Sequence, residues 1–316
     1  MAPMISTSLL PPDAVGLSRA AQILRAGGLV AFPTETVYGL GADARDDLAV
    51  ARIFEAKGRP RFNPLIVHVA NVETARRYVE WNEAAEALAT EFWPGPLTLV
   101  LSLRADAGLS PLVTAGLPSL AIRVPAHPVA RELLTVFDGP VAAPSANPSG
   151  KISPTSAAHV QAGLSGRIEG IVDGGFCGVG LESTIVGLTR APCLLRPGGL
   201  PAEEVEAVLG VPLLTHDDGE INAPGQLSSH YAPGAQVRLD AKDKHPGERL
   251  LGFGPVAGAD MNLSPAGDLT EAAANLFAML HAIDDGQSPI AVSPVPEEGL
   301  GRAINDRLRR AAAPRD

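Results

Sequence analysis

The chain has 316 residues and carries 25 Lys and Arg against 35 Asp and Glu, a net charge of −10 that excludes a polybasic protein coating RNA. Its 46% of hydrophobic residues exclude disorder and suffice for about two domains, at roughly 150 residues each. Cys177 and Cys193 are the only cysteines and form no C-x-x-C pair, which excludes zinc ribbons, iron–sulfur clusters and a disulfide framework.

No Lys or Arg precedes Asp13, so a basic secretory leader is not expected. The first element in chain order is an amphipathic helix over 17–26, ended by Gly27-Gly28. A strand at 29–32 follows, then a helix from Asp47 to Ala56 and a short β-branched strand over 65–69, bounded by Pro64 and Asn71. Helices are expected at 73–78 and 84–91, and strands at 97–103 and 120–124. The uncharged run 107–122 is broken by Pro111, Gly116 and Pro118 and falls short of the roughly 18 apolar residues of a membrane span. No membrane association is expected, and the protein is expected in the cytoplasm. Helices at 129–134, 156–161 and 202–209, with strands at 141–143, 171–173 and 183–188, complete a mixed α/β alternation.

Beyond a polar, turn-rich stretch without period, the alternation resumes on a smaller scale. Strands at 236–239, 249–253, 260–263 and 290–292 and helices at 269–284 and 300–311 make a compact doubly wound pattern. Three parts are therefore expected: a first α/β domain over 1–214, a linker over 215–234 and a small α/β domain over 235–316. Residues 1–214 carry a net −4 and residues 215–316 a net −6.

Lys57-Gly58-Arg59-Pro60-Arg61 places three cations on alternate residues and leads through Asn63-Pro64 into the strand at 65–69. Such a run at a strand end suits phosphate or carboxylate binding; from charge alone, a solvated basic loop is the other reading. Pro144-Ser145-Ala146-Asn147-Pro148-Ser149-Gly150 follows the strand at 141–143 directly. Small hydroxyl and amide side chains on a tight turn can cradle anionic oxygens, or simply make an Asn-Pro turn. Gly39-Leu40-Gly41-Ala42-Asp43-Ala44 matches G-x-G-x-x-A but is not a dinucleotide fingerprint, because six residues separate it from the strand and the helix begins only near Asp47. Arg123 sits in an apolar strand and needs a partner, either a structural carboxylate or a ligand's. His68, inside its own strand, reads by default as a hydrogen-bonded core histidine.

Taken together these segments resemble the YrdC-like threonylcarbamoyl-AMP synthases, in the long form with an additional C-terminal domain. The resemblance runs through Phe32–Ala44, Ile53–Pro60, Asn63–Val69, Trp93–Thr98, Ala121–Pro125, Ala143–Gly150, Glu182–Val186 and Leu195–Gly198. It continues through Ser229-His230-Tyr231-Ala232-Pro233, Asn262-Leu263-Ser264 and Gly301–Arg307, so it covers nearly the whole chain. It implies a twisted mixed sheet around a concave, positively lined cavity, plus a smaller Rossmann-like C-terminal domain. The implied reaction joins L-threonine, bicarbonate or carbon dioxide and ATP into threonylcarbamoyl-AMP and pyrophosphate, for tRNA modification by a separate threonylcarbamoyl transferase.

Carried over by motif, the signature residues fall on Lys57, Arg59, Ser145 and Asn147. ATP contacts fall on Arg59, Asn63, Ser119, Ser145, Ser153, Arg196 and Tyr231, and threonine contacts on Thr36, His68, Arg123, the Ala143 backbone and Ser183. Mg2+ is expected on the ATP phosphates with no protein metal site, and Tyr231 is expected to close the cavity. A non-catalytic RNA-binding translation accessory protein is the competing reading, but direct tRNA binding is not required of so acidic a chain.

Overall fold

The computed structural model describes residues 5–60, 63–215 and 230–314. Arg61 and most of the expected linker, residues 216–229, lie outside the described residues. In chain order the first elements are β1 (Ser8–Leu10), α1 (Ala14–Arg25), β2 (Val30–Phe32), β3 (Gly39–Asp43), α2 (Asp47–Lys57), β4 (Ile66–His68), α3 (Val72–Ala75) and α4 (Glu83–Phe92). There follow β5 (Leu97–Ser102), α5 (Pro111–Thr114), β6 (Ser119–Arg123), α6 (Pro128–Phe137), β7 (Val141–Ala142), α7 (Ala157–Leu164) and β8 (Gly170–Val172). Then come β9 (Thr184–Gly187), β10 (Cys193–Arg196), α8 (Ala202–Leu209) and β11 (Leu214–Thr215). The last part holds β12 (Val237–Arg238), β13 (Arg249–Gly252), β14 (Met261–Asn262), α9 (Leu269–Ile283), β15 (Ile290–Val292) and α10 (Leu300–Ala312).

β1 to β11 form one mixed sheet in the order β1-β8-β2-β3-β7-β4-β6-β5-β9-β10-β11. Alternate residues of its strands supply different cores, as the two-residue strand period requires. Leu40, Val67, Leu99, Ile122 and Val186 join Ile53, Leu88 and Val160 of α2, α4 and α7 in the largest cluster. Phe32 and Val141 join Leu17, Leu24, Leu133 and Phe137 of α1 and α6. Ile66, Val100, Ala121 and Ile185 form a separate small cluster in the strands beside β7, and the functional groups described below cluster around this region.

Helix starts follow the capping chemistry in the sequence: Asp13 and Asp46 accept backbone amides at α1 and α2, and Asn82 does so at α4. Strands β1, β3, β10 and β11 are additional to the expected ones. β1 and β11 are edge strands too short to show a period. β3 contains two glycines, which weaken a strand signal, yet its packing demands them: a Cβ on Gly41 would lie 2.9 Å from both Phe32 and Val141.

The small sheet runs β12-β15-β13-β14, parallel throughout. Its helix α9 packs directly on the first part of the chain: Val37, Ile152 and Leu181 share a cluster with Leu276, Phe277 and Leu280. Among the described residues no helix is long and apolar enough to cross a membrane.

Candidate active site

α2 ends at Lys57 and delivers its ammonium inward, almost fully buried. Nζ donates to the carbonyl of Ser145 at 2.6 Å and to that of Asn147, while the Lys57 carbonyl accepts from the Ser149 amide at 2.8 Å. Lys57 thus straps the 144–150 turn to the end of α2. Burial, with the charge of Arg59 nearby, pushes its pKa well below the ordinary lysine value. Within that turn the Asn147 amide donates to Pro148 and Lys151, and its Oδ1 is buried without a partner among the described residues.

Arg59 lies two residues on. One terminal nitrogen donates to the Pro64 carbonyl at 3.1 Å, and its Nε is buried without a partner among the described residues. Burial, with Arg196 adding repulsion, lowers its pKa to about 10, so it stays cationic at neutral pH. Asn63 is 1% exposed, and neither its amide nitrogen nor its oxygen has a partner among the described residues. A buried amide left wholly unsatisfied is costly to the fold and marks a place where a ligand's polar groups would be welcome.

Register places the next group. β4 and β6 are parallel with His68 opposite Arg123, so both side chains leave the same face of the sheet. The Arg123 guanidinium donates to the Gly95 carbonyl at 3.1 Å, to Thr36 Oγ1 at 2.9 Å and to Glu35 Oε1 at 2.6 Å. A structural carboxylate therefore does partner Arg123, one of the two alternatives open from sequence. Glu35 Oε2 remains buried without a partner among the described residues. His68 is buried with Nδ1 unpartnered among the described residues, and burial beside Arg123 lowers its pKa to about 3, so it is neutral. The Ile66 backbone hydrogen-bonds it, in keeping with the core-histidine reading, while Nδ1 is left over. The Ala143 amide is already given to Ile66 at 2.9 Å.

Arg196 donates to the Ser183 carbonyl at 2.8 Å and to its Oγ at 3.2 Å, and Ser183 Oγ also pairs with Thr98 at 2.7 Å. Ser153 Oγ donates to Glu182. Tyr231 is 1% exposed and holds φ at 60°, a left-handed conformation uncommon for a bulky side chain and maintained by what surrounds it. Burial, with Glu182 adding to it, raises its phenol pKa.

Thr36, Arg59, His68, Arg123, Ala143, Ser145, Ser183, Arg196 and Tyr231 converge on one cavity, also lined by Glu182 and His230. With Tyr231 in place its volume is about 50 Å³. Lys57, Asn63, Asn147 and Ser153 stand outside the lining, Lys57 and Ser153 bonded to residues that form it. Ser119 lies elsewhere, in a neighbouring concavity of about 690 Å³ shared with Val100, Ser102 and Cys193. Arg123 is four positions further along β6, roughly 13 Å at the rise of a strand.

A family model described as telomere recombination matches residues 22–198, and a second, described as the C-terminal domain of threonylcarbamoyl-AMP synthase, matches residues 200–313. A threonylcarbamoyl-AMP synthase of Pyrococcus abyssi is 46% identical over 93% of this chain and 93% of its own length. The chain belongs to the threonylcarbamoyl-AMP synthases. The synthase of that name from Bacillus subtilis is 42% identical over 95% of this chain and 93% of its own. The crystal structure of P. abyssi Sua5 complexed with L-threonine matches with a TM-score of 0.88 at 43% identity, covering 98% of this chain and 97% of that one.

Within this synthase family member, three groups at or beside the cavity were not assigned from sequence: Glu35, Glu182 and Arg307. Glu35 and Glu182 stand within recognised motifs, adjacent to Thr36 and Ser183. Nothing in their spacing shows that each meets an arginine from a distant strand or helix.

Proposed function

We infer that this chain makes threonylcarbamoyl-AMP and pyrophosphate from L-threonine, ATP and bicarbonate or carbon dioxide. The observation that carries the reading is the convergence of Arg59 and Arg196, from opposite ends of the first domain's sequence, on one cavity with Arg123, Thr36 and His68. Two buried cations suit a polyphosphate, and a third with a hydroxyl beside it suits an amino-acid carboxylate.

The threonine amine adds to carbon dioxide with loss of a proton, giving a carbamate; from bicarbonate, water is also lost. A carbamate oxygen attacks the α-phosphorus, and the bond to the bridging oxygen of pyrophosphate breaks. The nucleophile is already anionic, so alignment and charge stabilisation supply most of the acceleration. Arg59 and Arg196 offset charge on the departing pyrophosphate, Asn63 offers its unpaired amide group to the nucleotide and Asn147 its unpaired Oδ1. Ser145 lines the nucleotide site. Lys57 holds the turn that bears Ser145 and Asn147. Ser119 fits the far end of an extended nucleotide lying over Val100 and Ala121, and Ser153 acts through Glu182.

For threonine, Arg123 takes the carboxylate with its remaining donors, Thr36 and Ser183 border the side chain, the Ala143 carbonyl faces the amine and neutral His68 shapes the pocket. Tyr231 closes over the bound substrates and keeps water from a hydrolysable anhydride. Mg2+ enters as MgATP, carried on the phosphates with water.

A catalytic unit over 1–214, a closing segment over 215–234 and a small domain over 235–316 fit the end of the large sheet at Leu214–Thr215. The product then passes to a threonylcarbamoyl transferase in the cytoplasm, and the net charge of −10 supports a role that needs no direct tRNA binding.

Pyrophosphate release measured with each substrate left out in turn tests the reading. Release is expected only with all three; release that ignores threonine or bicarbonate overturns it. An RNA shift persisting at moderate salt without such release would favour the accessory-protein alternative.

A further inference from the structure

Arg307 belongs to α10, on the far side of the chain's sequence from the cavity, yet it is fully buried against it. Its Nε donates to Glu182 Oε2 at 2.8 Å, and one terminal nitrogen donates to the Pro197 carbonyl at 2.9 Å and to Asp306 at 2.7 Å. The guanidinium carbon lies 5.2 Å from the centroid of the Tyr231 ring. Its other terminal nitrogen is buried with no partner among the described residues. Apart from Asp306, every partner is cavity wall or next to it: Glu182 precedes Ser183, Pro197 follows Arg196, and Tyr231 is the cover. An apolar side chain would fill this space at less desolvation cost, whereas a planar fork fixes three groups at defined angles.

We propose that Arg307 is a positioning residue through which the C-terminal domain sets the geometry of the nucleotide site. It fixes the Glu182 carboxylate and the Pro197 carbonyl on either side of the cavity wall, and it supports the Tyr231 ring over the cavity. Glu182 shows the balance: burial alone would raise its pKa, but Arg307 and Arg196 outweigh it and keep the carboxylate ionised. Without Arg307, this buried anion loses the cation bonded to it. This inference rests on the reading of the cavity as the ATP site, and it assigns the C-terminal domain a part in that site.

The test compares the parent chain with Arg307→Met, Arg307→Lys, Glu182→Gln and the Arg307→Met/Glu182→Gln double variant. Steady-state pyrophosphate release is normalised to the folded fraction, and thermal stabilisation by MgATP alone is read in parallel. Arg307→Met is expected to raise the KM for ATP about tenfold, with a smaller change in the KM for threonine. Removing the anion as well should recover at least about threefold of that loss, since glutamine leaves no buried carboxylate stripped of its bonded cation to distort the wall. Stabilisation by MgATP should fall and recover in the same order. Should Arg307→Met fail to fold, Arg307→Lys carries the test, with a several-fold rise in the KM for ATP at a Tm near the parent's.

Parent-like KM and kcat per folded molecule, or losses that fall equally on ATP and threonine, overturn the proposal. A parent chain that releases no pyrophosphate would instead overturn the activity reading, and MgATP stabilisation in the parent separates the two failures.

Discussion

Arg123 shows how packing can prepare a side chain for recognition. Its contacts with Gly95, Thr36 and Glu35 lock the guanidinium plane, so its orientation is settled before any substrate arrives. Arg123→Ala is expected to raise the KM for threonine tenfold or more, on the order of a lost charge-assisted pair, and to change that for ATP much less. Equal losses would argue against its carboxylate role. Buried histidines set a second expectation. His68 and His230 are held neutral, with pKa values lowered from 6.5 to about 3 by burial, and His159 is lowered to about 4 by burial. The unfolded chain binds these protons more readily, so their contribution is complete above pH 6.5 and is lost as pH falls toward those values. Urea midpoints should drop between pH 7 and pH 5, by up to roughly 1 kcal/mol per pH unit for each histidine. His68→Gln should flatten that dependence, and an unchanged slope would show that His68 contributes nothing to it.

At the scale of elements, sequence patterning located most strands and helices but left their neighbours undetermined. The strand over 65–69 was legible because it is short, β-branched and bounded by Pro64 and Asn71. That β4 lies between β7 and β6, placing His68 beside Arg123, follows only from pairing between residues 55 positions apart. The 196–199 segment is a second case. A Cβ on Gly198 would sit 2.4 Å from the Glu182 oxygen, the Ser183 carbonyl carbon and the Thr184 nitrogen, all backbone atoms that cannot swing aside. Gly198→Ala is therefore expected to cost roughly 2 kcal/mol or more of stability. It should also lower pyrophosphate release, because Arg196 and Ser183 are displaced together. A variant as stable and active as the parent would mean that this close approach is slack.

Over the whole molecule, the two sheets do not stand apart. Val37, Ile152 and Leu181 share a core with α9, Tyr231 lies 5.5 Å from Phe277 by ring centroids, and the Arg307–Glu182 pair crosses the same boundary. Both tryptophans, Trp81 and Trp93, belong to the first part, whereas far-UV circular dichroism also reports α9 and α10. Urea unfolding followed by tryptophan fluorescence and by circular dichroism should give coincident transitions. Two separated midpoints would show that the parts unfold independently and that the shared core is weak.

The sequence by itself determined the α/β class, the family resemblance and most of the residues at the cavity, because short motifs, turn residues and hydrophobic periods are local properties. Lys57, Arg59, Ser145 and Asn147 were legible for that reason. Tertiary structure alone decided that Lys57 spends its donors on the turn, that Glu35 orients Arg123, that Ser119 stands in a separate concavity and that Arg307 reaches Glu182 from 125 residues away. Each of these depends on which distant backbone a buried charge meets, and no local pattern encodes that meeting.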